Sequence, residues 1–110
     1  MERFLVRRGG RVLVVPADEV DWVEAAGDYV RLHVGRDAHL LRETMGAMEA
    51  QLDPRRFVRV HRSTIVNVER IRELHPHFNR EHLLVLRDGT RLKVSRGFRE
   101  RLEAAFGGAL

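Results

Sequence analysis

Apolar and polar residues alternate along most of this chain, the signature of half-buried strands. Arg3 to Arg8 and Arg11 to Val15 flank Gly9-Gly10, which predicts a hairpin whose turn needs positive φ; Pro16 ends it. Val20 and Trp22, alternating with Asp21, predict a strand out to about Ala25, closed by a turn at Gly27-Asp28. From Tyr29 to Val34 the alternation puts Val30, Leu32 and Val34 on one face and Tyr29, Arg31 and His33 on the other. Gly35-Arg36-Asp37 turns the chain into a strand around His39 to Arg42.

The period then changes. Met45, Met48 and Leu52 form one helical stripe, and Thr44 is a suitable N-cap, so a helix is predicted over about Thr44 to Leu52, stopped by Asp53-Pro54. Phe57 to Val60 reads as a short strand, and His61 to Val68 as irregular chain with a turn near Asn67. A helical turn and a strand are expected within Val68 to His75, with another turn marked by Pro76 and Asn79. His82 to Arg87 and Thr90 to Val94 flank Asp88-Gly89, a strong hairpin signal. Ser95 would cap a last helix with Phe98, Leu102, Ala105 and Phe106 on its apolar face, ended by Gly107-Gly108. The whole predicts one domain over residues 1–110, mainly β (α+β), with several small antiparallel sheets and one or two short helices.

Composition narrows the function. No apolar run is long enough to span a bilayer, no segment has the look of a signal peptide, and there is no cysteine, which together fit the cytoplasm. Residues 55–96 hold 11 basic and 4 acidic groups, net +7, whereas residues 1–54 carry net −3. All basic residues except Lys93 are Arg, which suits bidentate recognition, although genome composition can produce the same bias. A basic middle favours a polyanion partner; a solvated Arg-rich surface would look the same.

Enzyme chemistry finds little support. There is no phosphate-cradling Gly motif, nucleophile elbow or Cys nucleophile. Glu24 and Asp28 read as solvated acids beside a turn. His75, His77 and His82 lack the spacing of a structural metal site and read as exposed loop histidines, so neither metal nor other cofactor is expected. The basic segments are more informative. Arg59, His61, Arg62 and Ser63 precede Ile65-Val66, an apolar pair suited to anchoring a loop, and Asn67 can cap or turn the chain. Arg91, Lys93 and Arg96 line one side of the last strand and its exit at Ser95, and Arg96 would open the last helix, where backbone N–H groups also meet phosphates. The opposing explanation is that Arg62 and Arg96 pair with nearby acids.

These residues carry a resemblance. Asp21-Trp22-Val23-Glu24-Ala25 with Gly27-Asp28-Tyr29-Val30, then Phe57 through Asn67, Ile71, Asp88-Gly89 and Val94-Ser95-Arg96 resemble the LytTR DNA-binding domain, the output module of many bacterial response regulators. The match runs from about residue 3 to residue 106. It implies an elongated fold whose loops insert into successive major grooves of promoter DNA in transcription regulation. Carried over, Arg62, Arg96, Asp28 and Tyr29 would contact bases, with Arg62 and Arg96 in neighbouring grooves. Arg59, His61, Ser63, Asn67, Arg91, Lys93 and Ser95 would contact the DNA backbone or support the loops. The resemblance also implies direct repeats bound by two copies, and either a stand-alone regulator or an output domain whose receiver or sensor domain lies outside this sequence. An RNA-binding β module and a protein-interaction domain with a basic face are the alternatives; the first needs exposed aromatics on a sheet, and most aromatics here read as buried.

Overall fold

The glycine pair at positions 9 and 10 takes φ of 57° and 77°, so β1 (Arg3–Arg8) and β2 (Arg11–Pro16) fold back as a tight antiparallel ribbon. It opens a computed structural model that describes residues 2–76 and 82–109. Phe4, Val6 and Val15 point inward from the ribbon, as the alternation predicts. The molecule is elongated, 46 × 25 × 23 Å.

A five-stranded antiparallel sheet forms the centre, in the order β5-β4-β3-β7-β6. Its strands are β3 (Trp22–Ala26), β4 (Tyr29–Val34), β5 (Asp37–Leu41), β6 (Phe57–His61) and β7 (Thr64–Asn67). A second, three-stranded sheet has the order β10-β9-β8, from β8 (Ile71–Pro76), β9 (His82–Leu86) and β10 (Arg91–Val94). Helix α1 (Met45–Gln51) starts as predicted: the Thr44 hydroxyl accepts the Ala47 N–H at 3.0 Å, and Met45, Met48 and Leu52 are buried. This arrangement of small antiparallel sheets with two short helices is the fold class expected from the sequence.

Two cores flank the central sheet. One joins the β1–β2 ribbon and α1 to Val23, Val30, Leu32 and Ile65; the other joins Val58, Val60 and Val66 to Leu84, Leu86, Leu92, Val94 and Leu102. Neighbouring residues Ile65 and Val66 therefore face opposite cores.

That burial explains the main departure from the sequence expectation. Residues 61–68 are not irregular: Thr64–Asn67 is a strand between β3 and β6, buried at every position. With both faces covered, the strand shows no alternation to read. The expected turn near Asn67 is present as a 3-10 turn, Val68–Arg70, and a second turn precedes the strand at Arg62-Ser63. The C-terminal region also differs. Arg96–Phe98 is a 3-10 turn, and α2 begins only at Arg99 and runs to Phe106. Ser95 caps no N–H with its hydroxyl, so Arg96 does not open an α-helix. Of the predicted apolar face only Leu102 is fully buried, Phe98 is half-buried and Phe106 is 48% exposed. Gly107, at φ 69°, ends the helix with two backbone hydrogen bonds, as its sequence suggests. His82 is buried in β9 rather than exposed in a loop; Asn79 and His77 lie outside the described residues. Among the described residues no helix is long and apolar enough to cross a membrane.

Because Ile65 is only 1% exposed in a strand paired on both sides, Ile65→Ala should cost about 2–4 kcal/mol of stability. Denaturant titration measures this, and a variant with full stability that no longer bound its ligand would make Ile65 a contact residue instead.

Candidate nucleic-acid interface

Strand pairing gathers three turns on one long edge. The β3–β4 turn carries Gly27 and Asp28, and the β6–β7 turn carries Arg62 and Ser63. Antiparallel pairing of β3 with β7 sets these side by side, and the Ala25 N–H donates to the Ser63 carbonyl at 2.9 Å. The exit of β10 comes next, where the Ser95 N–H donates to the Val60 carbonyl at 2.9 Å. Asp28, Tyr29, Arg62 and Arg96 are thus all exposed along one edge.

Their partners differ. Arg62 and Arg96 have no ion pair or side-chain hydrogen bond to any described residue, which removes the explanation that nearby acids neutralise them. Tyr29 lies beneath Arg42, whose guanidinium carbon is 5.9 Å from the ring centre. The β4–β5 register makes this pair legible: Val30 faces Leu41, so Tyr29 falls opposite Arg42 one step beyond. An open concavity of about 560 Å³ separates the Asp28-Tyr29 turn from the start of α1.

The β6–β7 turn is heavily braced. The Ser63 backbone N–H donates to His61 Nδ1 at 3.2 Å, and the Ser63 hydroxyl lies 2.9 Å from the same nitrogen. This makes Nδ1 an acceptor and leaves Nε2 as the ring's donor. Arg59 donates to the Arg62 carbonyl at 2.6 Å and to Glu49 at 3.3 Å. Glu49, on α1, was not among the residues singled out from the sequence; no local spacing links positions 49, 59 and 101.

Other expected residues sit elsewhere. Asn67 is fully buried at the far end of β7; its Nδ2 donates to the Val20 carbonyl and its Oδ1 accepts the Glu69 N–H, both at 3.1 Å. It caps a 3-10 turn on the opposite edge and is no backbone contact for DNA. Arg91 and Lys93 are exposed, but Arg91 lies at the far end of β10, beside the Asp88-Gly89 turn, while Lys93 and Ser95 approach the three-turn edge. Arg62 and Arg96 are close neighbours: the Ser95–Val60 bond holds their Cα atoms within about 16 Å of each other. No described cluster of His, Cys, Asp or Glu is arranged to hold a metal ion; His75 pairs with Glu73 at 3.0 Å.

The family model of the LytTr DNA-binding domain matches residues 10–107. The chain belongs to the LytTR DNA-binding domain family. Membership makes it a DNA-binding domain. It is 28% identical over 95 residues to the sensory transduction protein LytT of Bacillus subtilis, covering 86% of this chain and 39% of that protein. To the transcriptional regulatory protein LytR of Staphylococcus aureus it is 30% identical over 76 residues, 69% of this chain and 31% of that protein. The chain thus spans well under half the length of these relatives. A solved LytTr DNA-binding domain of a putative methyl-accepting/DNA response regulator from Bacillus cereus superposes with a TM-score of 0.88 at 23% identity, covering 97% of this chain and 98% of that one; it has the same fold.

In this LytTR domain the central sheet carries a charged cluster at Glu24, Arg31 and His33. Glu24 Oε1 accepts hydrogen bonds from Arg31 and His33, each at 2.9 Å, and His33 stacks on Trp22 at 3.9 Å between ring centres. Burial pushes the Glu24 carboxyl up, but the hydrogen bonds and charges of His33 and Arg31 outweigh it and hold the group below its ordinary 4.5. A lowered folded-state pKa adds stability that is present above the ordinary value and is lost as pH falls through the folded one. Glu24→Gln should therefore lower stability at neutral pH and flatten its decline below about pH 4.5. Denaturant titrations at stepped pH measure both; parallel curves for the two proteins would mean the cluster stabilises nothing.

Proposed function

We propose that residues 1–110 act as one sequence-specific domain that binds double-stranded promoter DNA, with Arg96 and Arg62 reading bases. The observation that carries this reading is the pair of exposed arginines, each without a described partner, on braced turns along a single edge. In a major groove, a guanidinium without a protein acceptor, such as that of Arg96, is ready to bind guanine O6 and N7 bidentately. The rigid turns beneath lower the entropy lost on binding.

Geometry favours a particular arrangement. Three inter-strand steps of about 4.8 Å separate β4 from β6, and Arg96 lies beyond β6. The Asp28-Tyr29 turn and Arg96 are therefore the outermost pair and the best spaced of the three to reach toward successive major grooves. Arg62 lies between them and faces the intervening minor groove, where a guanidinium reads width and negative potential. Lys93, Ser95 and the His61 Nε2 donor meet phosphates nearby. Two copies on direct repeats would extend the same contacts, with any receiver or sensor domain supplied by chain outside this sequence, in the cytoplasm.

Selection of binding sites from random duplexes supplies the specific site. On it, Arg96→Ala should cost about 1–3 kcal/mol and relax preference at one position. Arg62→Ala should act at a different position, inward from the first, and both altering the same base pair would overturn the arrangement. Equal losses on specific and random duplex would make Arg96 a phosphate contact.

Binding should also fall steeply with salt. The net +7 over residues 55–96 suggests on the order of four to eight phosphate contacts and a log–log slope of about −4 to −7. A flat response would favour an acidic protein partner, and a steep one on single-stranded RNA alone would favour the RNA-binding reading.

A further inference from the structure

We infer that Arg59 is a positioning residue that sets the spacing between the Arg62 and Arg96 turns, not a contact to DNA. The inference rests on the base-reading roles proposed for those two arginines.

Arg59 projects from β6 with its side chain 20% exposed. All three guanidinium nitrogens are engaged: Nε donates to the His61 carbonyl at 3.4 Å, Nη2 to the Arg62 carbonyl at 2.6 Å, and Nη1 to Glu49 Oε1 at 3.3 Å. Its guanidinium carbon also lies 5.7 Å from the centre of the Phe98 ring, the last residue of the 3-10 turn that Arg96 begins. Arg101 of α2 approaches the same ring at 4.9 Å and donates to Glu49 Oε2 at 2.7 Å. Glu49, Arg59, Phe98 and Arg101 thus form a closed circuit. It touches the backbone of one turn and the side chain that ends the other.

The circuit suits positioning better than phosphate binding. A phosphate contact needs donors aimed at solvent, and three of the five Arg59 N–H donors, one on each nitrogen, already have an acceptor in the protein. Two acceptors are successive carbonyls at the end of β6, so the planar fork fixes the path of the chain into Arg62. Its face meanwhile holds Phe98, so the two turns cannot shift independently. Glu49 would otherwise repel DNA beside this edge, and its two arginine partners neutralise it. Lysine cannot replace this arrangement, because an ammonium is a point charge without a plane to share between carbonyls, carboxylate and ring.

The test uses the selected site and a random duplex of equal length, with Arg59→Lys, Arg59→Met and Phe98→Leu made in the full chain. Arg59→Lys should lose about tenfold on the specific site while affinity for the random duplex and the salt slope stay unchanged. Phe98→Leu, which keeps an apolar side chain, should shift the same ratio in the same direction. Arg62→Ala and Arg96→Ala should be non-additive by about fivefold in the native background and additive in Arg59→Lys. Simple destabilisation would lower both affinities together and leave the ratio between them fixed, which would count against positioning. So would wild-type binding by Arg59→Lys, or an equal loss on both duplexes by Arg59→Met with the salt slope reduced by about one, the mark of a phosphate contact. If Arg62→Ala and Arg96→Ala leave sequence preference intact, the base-reading proposal fails and the positioning role falls with it. If they relax preference while Arg59→Lys does not, the positioning role alone fails.

Discussion

The three-turn edge depends on the burial of one short strand. Thr64–Asn67 pairs with β3 on one side and β6 on the other, and its successive side chains Ile65 and Val66 enter different cores. A register slip of one residue would exchange those faces and bury Thr64 or Asn67 in the wrong core. The register is therefore strongly specified, and with it the turn at Arg62-Ser63. The Ala25–Ser63 and Val60–Ser95 backbone bonds then tie the neighbouring turns to the same reference. An exposed, charged edge can be rigid here because an apolar strand immediately behind it cannot move.

Legibility in the sequence followed exposure. Strands whose wet face is polar, β4 and β10, display their alternation, and the turns beside them carry glycine at the expected places. Strand β7 has no wet face, so its sequence looks like irregular chain with an apolar step. Helix α2 misleads for the opposite reason. Its apolar positions repeat at helical spacing, yet eight residues at the surface bury only Leu102, and Phe98 turns toward cations instead of the core. The partnerships of Glu49 were out of reach, because Arg101 is 52 residues away and Arg59 approaches it from another element. Arg62 and Arg96 were legible as chemistry; that they are close neighbours was not, since the Val60–Ser95 hydrogen bond and the shared burial of Val60 and Val94 join segments far apart in sequence.

Charge counting and charge pairing give different pictures of the surface. The basic residues of the middle segment look equivalent in the sequence, but Arg70 is committed to Asp21 at 2.8 Å, Arg72 to Glu73 at 2.9 Å and Arg59 to Glu49. Exposed pairs of this kind contribute little stability. Their larger effect is to decide which cations remain available to a polyanion. Pairing commits Arg59, Arg70 and Arg72, while Arg62 and Arg96 on the three-turn edge stay available.

The same bookkeeping applies to the aromatic rings and bears on which nucleic acid this edge suits. Tyr29, Trp22 and Phe98 are less buried than their sequence pattern suggests, which at first favours a platform for stacked bases. Each ring is nonetheless occupied. Trp22 is stacked on His33 with an interplanar angle of 1°, Tyr29 lies beneath Arg42, and Phe98 lies between Arg59 and Arg101. A base entering any of these positions would have to displace a cation or an imidazole already there. Single-strand recognition depends on free ring faces, whereas duplex recognition depends on free donors along an edge that fits a groove. Among the described residues Trp22, Tyr29 and Phe98 each hold a partner on the ring, Phe106 lies exposed without one, and the donors of Arg62 and Arg96 are free, which supports the duplex reading proposed above.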